Sequence, residues 1–204
     1  MVSPTVTQTL EAPLAGTTSG LLDLPNGAAH IEVSSDPGAE TLYQARVREP
    51  APVIETDDGR VSLRYRRFSR MTKGNPDQVR LNPGVPWEIT SGPLSHAALD
   101  LSALRLVSLT TGSVSRLSLD LPAAEGTRIV TVRGNAGGLT VRRPADTAIR
   151  VRIKGGSTRV ELDSDVFASI GGPTTWNSQD HERAESVYEL HVEGSVSTLR
   201  VTTR

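Results

Sequence analysis

Val130-Thr-Val-Arg-Gly-Asn-Ala-Gly-Gly-Leu-Thr-Val141 holds two aliphatics one residue apart, a glycine two residues later, and two more aliphatics five and seven residues after that glycine. The same unit recurs as Val151 and Ile153 before Gly155, with Val160 and Leu162 behind it. It recurs again as Leu190 and Val192 before Gly194, with Leu199 and Val201 behind it. Gly112 carries the second half, Leu117 and Leu119. Alternation with a period of two on both sides of a glycine describes strand, tight turn, strand. Gly112, Gly134 and Gly155 are spaced by 22 and 21 residues. A fixed period of that length marks stacked units that bury each other's apolar faces. The repeat therefore predicts an all-β fold.

Several expectations follow from that unit. Leu117, Leu119, Val130, Val132, Leu139, Val141, Val151, Ile153, Val160, Leu162, Val192, Leu199 and Val201 face inward. The glycines occupy turns that need positive φ or that allow close backbone approach. Eight residues after each glycine stand Asp120, Arg142 and Asp163; each follows an inward aliphatic and so points outward. Stacked in the order Gly112, Gly134, Gly155, they form an acid–base–acid ladder with Arg142 between the aspartates. Arg133 and Lys154 then stack as like charges unless an acid intervenes.

Outward from the repeat the pattern changes. Leu22 and Leu24 lead through Pro25-Asn26-Gly27 to Ile31 and Val33, a hairpin signal. With strands at 41–47, 52–56 and 61–65 they form a small N-terminal β module, residues 1–67. Residues 68–86, with Gly74-Asn75-Pro76 and Asn82-Pro83-Gly84, read as a connecting loop. Residues 87–204 form the repeat domain, broken by a polar stretch with a weak helical signal at 179–185.

Four phrases, Leu99-Asp-Leu-Ser102, Gly112-Ser-Val-Ser-Arg-Leu117, Leu119-Asp-Leu-Pro122 and Gly155-Gly-Ser-Thr-Arg-Val160, resemble the toast-rack β-solenoid group. Gly194-Ser-Val-Ser-Thr-Leu199 matches that group's closing strand pair, and Gly171-Gly172 its Gly-rich insertion. The group includes the putative-adhesin domain of unknown function and the C-terminal domain of LiaF-like cell-wall stress proteins. The resemblance covers 87–204 well and 20–66 loosely. It implies a right-handed β-solenoid, usually non-enzymatic, often joined to membrane or regulatory segments in envelope-stress systems. It brings no catalytic or ligand residues with it.

Composition narrows the chemistry. The chain has 204 residues, no cysteine, and 22 basic against 23 acidic residues. That excludes a disulfide framework, a thiol nucleophile and Cys-based metal sites, and near-neutral charge argues against specific nucleic-acid binding. No signal peptide or long apolar run is visible, so the expected location is cytoplasmic, with membrane association through a partner. Only seven residues are aromatic, which suits narrow rungs filled by Val, Leu and Ile.

Motifs for catalysis are absent. His30, His96, His181 and His191 lack metal-ligand spacing, and His191 belongs to an outward, solvated strand face. Lys154-Gly-Gly-Ser-Thr158 lacks the upstream glycine of a phosphate loop. Asp120 and Asp163 would stand two rungs apart with Arg142 between them, unsuited to the carboxylate pair of glycoside chemistry. Arg64, Arg66, Arg67, Arg70 and Lys73, with Tyr65 and Phe68 among them, form the one basic stretch. It suits an anionic partner or the solvated end of an edge strand. The sequence thus predicts no cofactor and no enzyme, but a scaffold or protein-interaction module with a protein partner, in envelope-stress signalling or as a homo-oligomer. A carbohydrate- or surface-binding adhesin is the alternative, for which Trp87 and Trp176 would be the platforms. A polysaccharide-acting enzyme on the β-helix face comes third.

Overall fold

The computed structural model describes residues 7–35, 40–66, 75–179 and 181–204. In chain order, β1 (Thr7–Pro13), β2 (Gly20–Leu24), β3 (Ala28–Ser35), β4 (Thr41–Arg48), β5 (Val53–Asp57), β6 (Arg60–Arg64) and β7 (Asp77–Leu81) fill the first part. There follow β8 (Pro86–Ser91), β9 (Leu94–Asp100), β10 (Arg105–Thr111), β11 (Val114–Asp120), β12 (Thr127–Val132) and β13 (Ala136–Arg143). The last six are β14 (Ala148–Ile153), β15 (Ser157–Leu162), β16 (Asp165–Ile170), β17 (Thr174–Asn177), β18 (Val187–Val192) and β19 (Val196–Thr203). No helix occurs among the described residues; within the weak helical signal at 179–185, residues 181–183 form a turn. There the Ser178 carbonyl accepts the His181 N–H at 3.1 Å.

Two open sheets hold all nineteen strands. One has ten strands in the order β1-β4-β7-β3-β9-β11-β13-β19-β15-β16, the other nine in the order β17-β14-β18-β12-β10-β8-β2-β6-β5. A pair such as β12 and β13 places one strand in each sheet, joined by a short turn with a glycine. Six such pairs stack in parallel register, from β2–β3 through β8–β9, β10–β11 and β12–β13 to β18–β19 and β14–β15, and β6 and β7 extend the two sheets beyond β2 and β3. Antiparallel strands close the stack: β4 and β5 against β7 and β6 at one end, β16 and β17 against β15 and β14 at the other. β1 adds to β4.

The register explains the core. In the ten-stranded sheet Val79, Val33, Leu99, Leu119, Val141, Val201 and Leu162 lie opposite one another in succession. In the nine-stranded sheet the matching row is Val61, Leu22, Ile89, Leu109, Val130, Leu190 and Val151. Rows from both sheets belong to one hydrophobic cluster. All thirteen residues predicted to face inward are buried, none above 2% exposed. A one-residue slip would turn every one of them outward, so their burial fixes the register.

Two expectations need correction. The stacking order is Gly112, Gly134, Gly194, Gly155, because β18–β19 inserts between β12–β13 and β14–β15. Arg142 therefore faces Asp120 on one side and Thr202 on the other, and its Nε donates to the Asp120 carboxylate at 2.6 Å. Asp163 takes a different base, Arg143. Lys154 is separated from Arg133 by Glu193, whose carboxylate it meets at 3.4 Å, so an acid does intervene between the like charges. Sequence order misled because the four units carry the same pattern and any could stack on any. Secondly, residues 68–86 are more than a loop: Val79 and Leu81 of β7 are fully buried. That strand escaped notice because Asp77, Gln78 and Arg80 break its apolar run. β3 hydrogen-bonds β9 and β2 hydrogen-bonds β8, so strands from 1–67 and 87–204 share both sheets.

Candidate functional site

On the edge opposite the glycine turns, one row of the repeat changes from apolar to polar, with Thr203 next to Arg143. Leu101, Leu121 and Arg143 are equivalent: each follows an outward polar residue (Asp100, Asp120, Arg142). Leu101 N–H donates to the Asp120 carbonyl and Leu121 N–H to that of Arg142; Arg143 continues the row, its own carbonyl accepting the Arg204 N–H. Leu101 and Leu121 seal the sandwich edge at 0% and 1% exposure. Arg143 occupies the same inward position and is 4% exposed. A guanidinium in place of a core leucine is costly unless its N–H groups are satisfied. Nη1 donates to the Thr147 carbonyl at 2.6 Å and Nη2 to the Asp163 carboxylate at 2.5 Å. Nε is buried without a partner.

Beside Arg143 opens a cleft of about 550 Å³. Its polar wall includes Asp146, Asp163 and Asp165, with Ser178 and Gln179 close by, and Trp176 is its aromatic wall. Each group is placed by the end of the stack. Trp176 lies opposite Val151 in β17, so it prolongs the inner apolar row of the nine-stranded sheet. No further rung covers it, and it stays half-buried. Its indole Nε1 donates to the Asp165 carboxylate at 3.0 Å, which holds the ring. Asp163 opens the two-residue turn from β15 to β16 with φ 53°, a left-handed conformation that Asp tolerates better than branched residues do. Ser178 is buried, its Oγ accepting the Ile149 N–H at 3.0 Å.

Charge in the cleft is unbalanced. Arg143 and Asp163 pair. Asp146 and Asp165 are exposed and have no ion-pair partner among the described residues. The arrangement offers a ring face, carboxylate acceptors, hydroxyls and an amide within one concavity. Such a combination takes up a flat molecule with many hydrogen-bonding groups.

Other concavities are plainer. A trough of about 630 Å³ runs along the glycine turns, lined by Ser95, Ser113, Ser115, Asn135 and Ser195 among others, and lacks charged or aromatic side chains. A hollow of about 250 Å³ on the outer face of the ten-stranded sheet contains Asp100 and Asp120, the latter held by Arg142.

The residues singled out in the sequence lie elsewhere. Arg64 is exposed and meets Glu55 at 3.2 Å. Arg66 is exposed, and Arg67, Arg70 and Lys73 lie outside the described residues. β6, which carries Arg64, is seven strands from β17 in its sheet, roughly 34 Å at the usual strand spacing. Near it, Asp77 is buried and accepts the Arg48 N–H at 3.1 Å. Burial raises its pKa, and the bonds from Arg48 and Tyr65 only partly offset this. Burial, then the charge of Asp77, push the Tyr65 hydroxyl up as well. Trp87, a platform on the sequence reading, is fully buried and donates to the Asn82 carbonyl at 2.8 Å, which corrects that reading. His30 and His96 are neighbours across two strands, ring centroids 6.0 Å apart. His191 points outward as expected but is half-buried, its Nε2 3.1 Å from the Glu189 carboxylate. No group of three or more metal-ligating side chains occurs among the described residues.

Sequence reasoning missed Arg143, although a signal was present. Pro122 and Pro144 mark the same turn one unit apart, and the residues before them are Leu121 and Arg143.

No family model matches the chain, and no curated protein matches it. Among solved structures, a "putative cell adhesion protein" from Clostridium sporogenes ATCC 15579 superposes with a TM-score of 0.72. The identity is 18%, over 98% of this chain and 100% of that one. A "putative adhesin" from Bacteroides fragilis NCTC 9343 gives a TM-score of 0.39 at 10% identity, over 98% of both chains. The chain shares its fold with the clostridial protein.

Proposed function

We propose that this protein is a non-enzymatic binding module of the adhesin kind, built as a toast-rack-like β-solenoid, and that the cleft beside Arg143 receives a saccharide. The observation that carries the reading is the replacement of an edge leucine by Arg143 beside a cavity lined by a tryptophan and three aspartates. A pyranose offers a C–H face to stack on Trp176 and hydroxyls that both donate to aspartates and accept from a guanidinium. The likeness of fold to the clostridial cell adhesion protein supports surface binding, in line with that protein's description. A signalling scaffold would use a broad protein-facing surface, and nothing about the cleft calls for one.

Calorimetry against a panel of oligosaccharides, with the wild type and Trp176→Ala, tests the proposal. At least one saccharide should bind, and losing a stacking ring should weaken it about tenfold or more. Binding that ignores Trp176→Ala, or no binding at millimolar saccharide, would reject it.

A further inference from the structure

The charge of the cleft selects among saccharides. Of its ionic side chains, Arg143 and Asp163 neutralise each other. Asp146 and Asp165 remain, both exposed and both lining the cavity. Asp165 holds the Trp176 indole, so one carboxylate stands beside the ring that would carry a sugar. Arg143 is buried and its two Nη atoms are already engaged by Thr147 and Asp163, so it offers Asp146 and Asp165 no counter-charge. The site thus combines two uncompensated anions and an aromatic face. A uronic acid or sialic acid would bring a third anion beside Asp146 and Asp165, and like charges in a concave, partly desolvated site repel. A neutral sugar would leave both carboxylates to lose water without gaining a counter-charge. An ammonium on the sugar satisfies them, and it is also attracted by the indole face.

Resting on the saccharide reading above, we propose that the ligand is an amino sugar with its nitrogen unacylated and protonated. Stacking on Trp176 places the ring. Asp165 and Asp146 take the ammonium.

The test uses the full chain and four probes of equal length: a glucosamine tetramer, its N-acetylated counterpart, a neutral glucan tetramer and a galacturonate tetramer. The glucosamine tetramer should bind at least tenfold tighter than the other three at low salt, and the gap should narrow as salt screens the charges. It should close in Asp146→Asn and Asp165→Asn; asparagine at 165 still accepts from the indole, and thermal melts confirm that both variants are folded. If the acetylated or neutral tetramer binds as tightly as the amine, the charge inference fails and the saccharide reading stands. If the variants keep the preference for the amine, recognition lies elsewhere and the inference fails. If no tetramer binds, both fail together.

Discussion

Asp77 shows how one buried carboxyl writes itself into stability. An unperturbed aspartate titrates near 3.9, and burial lifts Asp77 above its ordinary value. Between the unfolded and folded pKa the native state keeps a proton that the unfolded chain has released. Stability therefore falls as pH rises through that window, and the deficit persists above it. Asp77→Asn abolishes the titration while its amide oxygen can still accept the Arg48 N–H. The variant should melt at a higher temperature than the parent at neutral pH, with the difference shrinking as pH falls below the window. A constant difference across pH 3 to 8 would contradict the assignment. Arg143 is the contrasting residue: its charge is buried but paired, and its cost is met by loop carbonyls and Asp163. Neither role was legible in the sequence. Asp77 reads as the first residue of a polar stretch, and only the pairing of β7 with β3 and β4 buries it. Arg143 differs from Leu121 by position in the repeat alone, and becomes meaningful once the final rung leaves a cavity beside it.

The stacked glycines were read correctly as a requirement, and the structure supplies the reason. The repeat glycines do not have positive φ. What they allow is close approach. A Cβ on Gly194 would lie 2.7 Å from the Gly134 carbonyl carbon, and one on Gly155 2.7 Å from the Ser195 nitrogen. Turns one strand spacing apart thus touch backbone to backbone, and a methyl group must push the rungs apart. Gly194→Ala should cost about 1–3 kcal/mol, read from urea midpoints. Gly171→Ala, where a Cβ would meet nothing within 4 Å, should be close to neutral. Equal midpoints for the two variants would remove the close-approach account. Strand content and the facing of side chains were legible because alternation is local. The antiparallel cap of β16 and β17 was not: β16 is exposed along most of its length, Phe167 included at 38%, so it lacks the buried alternation that marks the stacked strands.

For the molecule as a whole, the fold class was legible and the order of assembly was not. Repeated patterns state that units stack and leave open which unit stacks on which. The pair β18–β19 sits inside the stack, with two strands of β12–β13 on one side and two of β14–β15 on the other. It buries Tyr188, Leu190, Val192, Val196, Leu199 and Val201. At about 1.5–3 kcal/mol per fully buried large apolar side chain, losing the pair removes as much as a typical domain's net stability of about 5–15 kcal/mol. A chain ending at Ser186 should therefore have lost its cooperative urea transition, whereas removing residues 1–13, whose described part, Thr7–Pro13, is a mostly exposed edge strand, should leave one. A normal transition in the shorter chain would show the inserted pair to be dispensable.

That insertion also sets a problem in time. Synthesised from the N-terminus, β14–β15 leaves the ribosome before the strands that belong beneath it. The surface already waiting, β12–β13, carries the same spacing of aliphatics around the same glycine, and only its charges tell it from the partner still to come: Arg133 stands where Glu193 later meets Lys154. The nascent chain can close one unit too early, with Gly155 resting on Gly134. Reaching the native order then means prising that contact open to admit residues 187–203. Slower translation over residues 164–186 should then lower the yield of folded protein, because it lengthens the time the premature pairing has to set; an unchanged yield would remove that account.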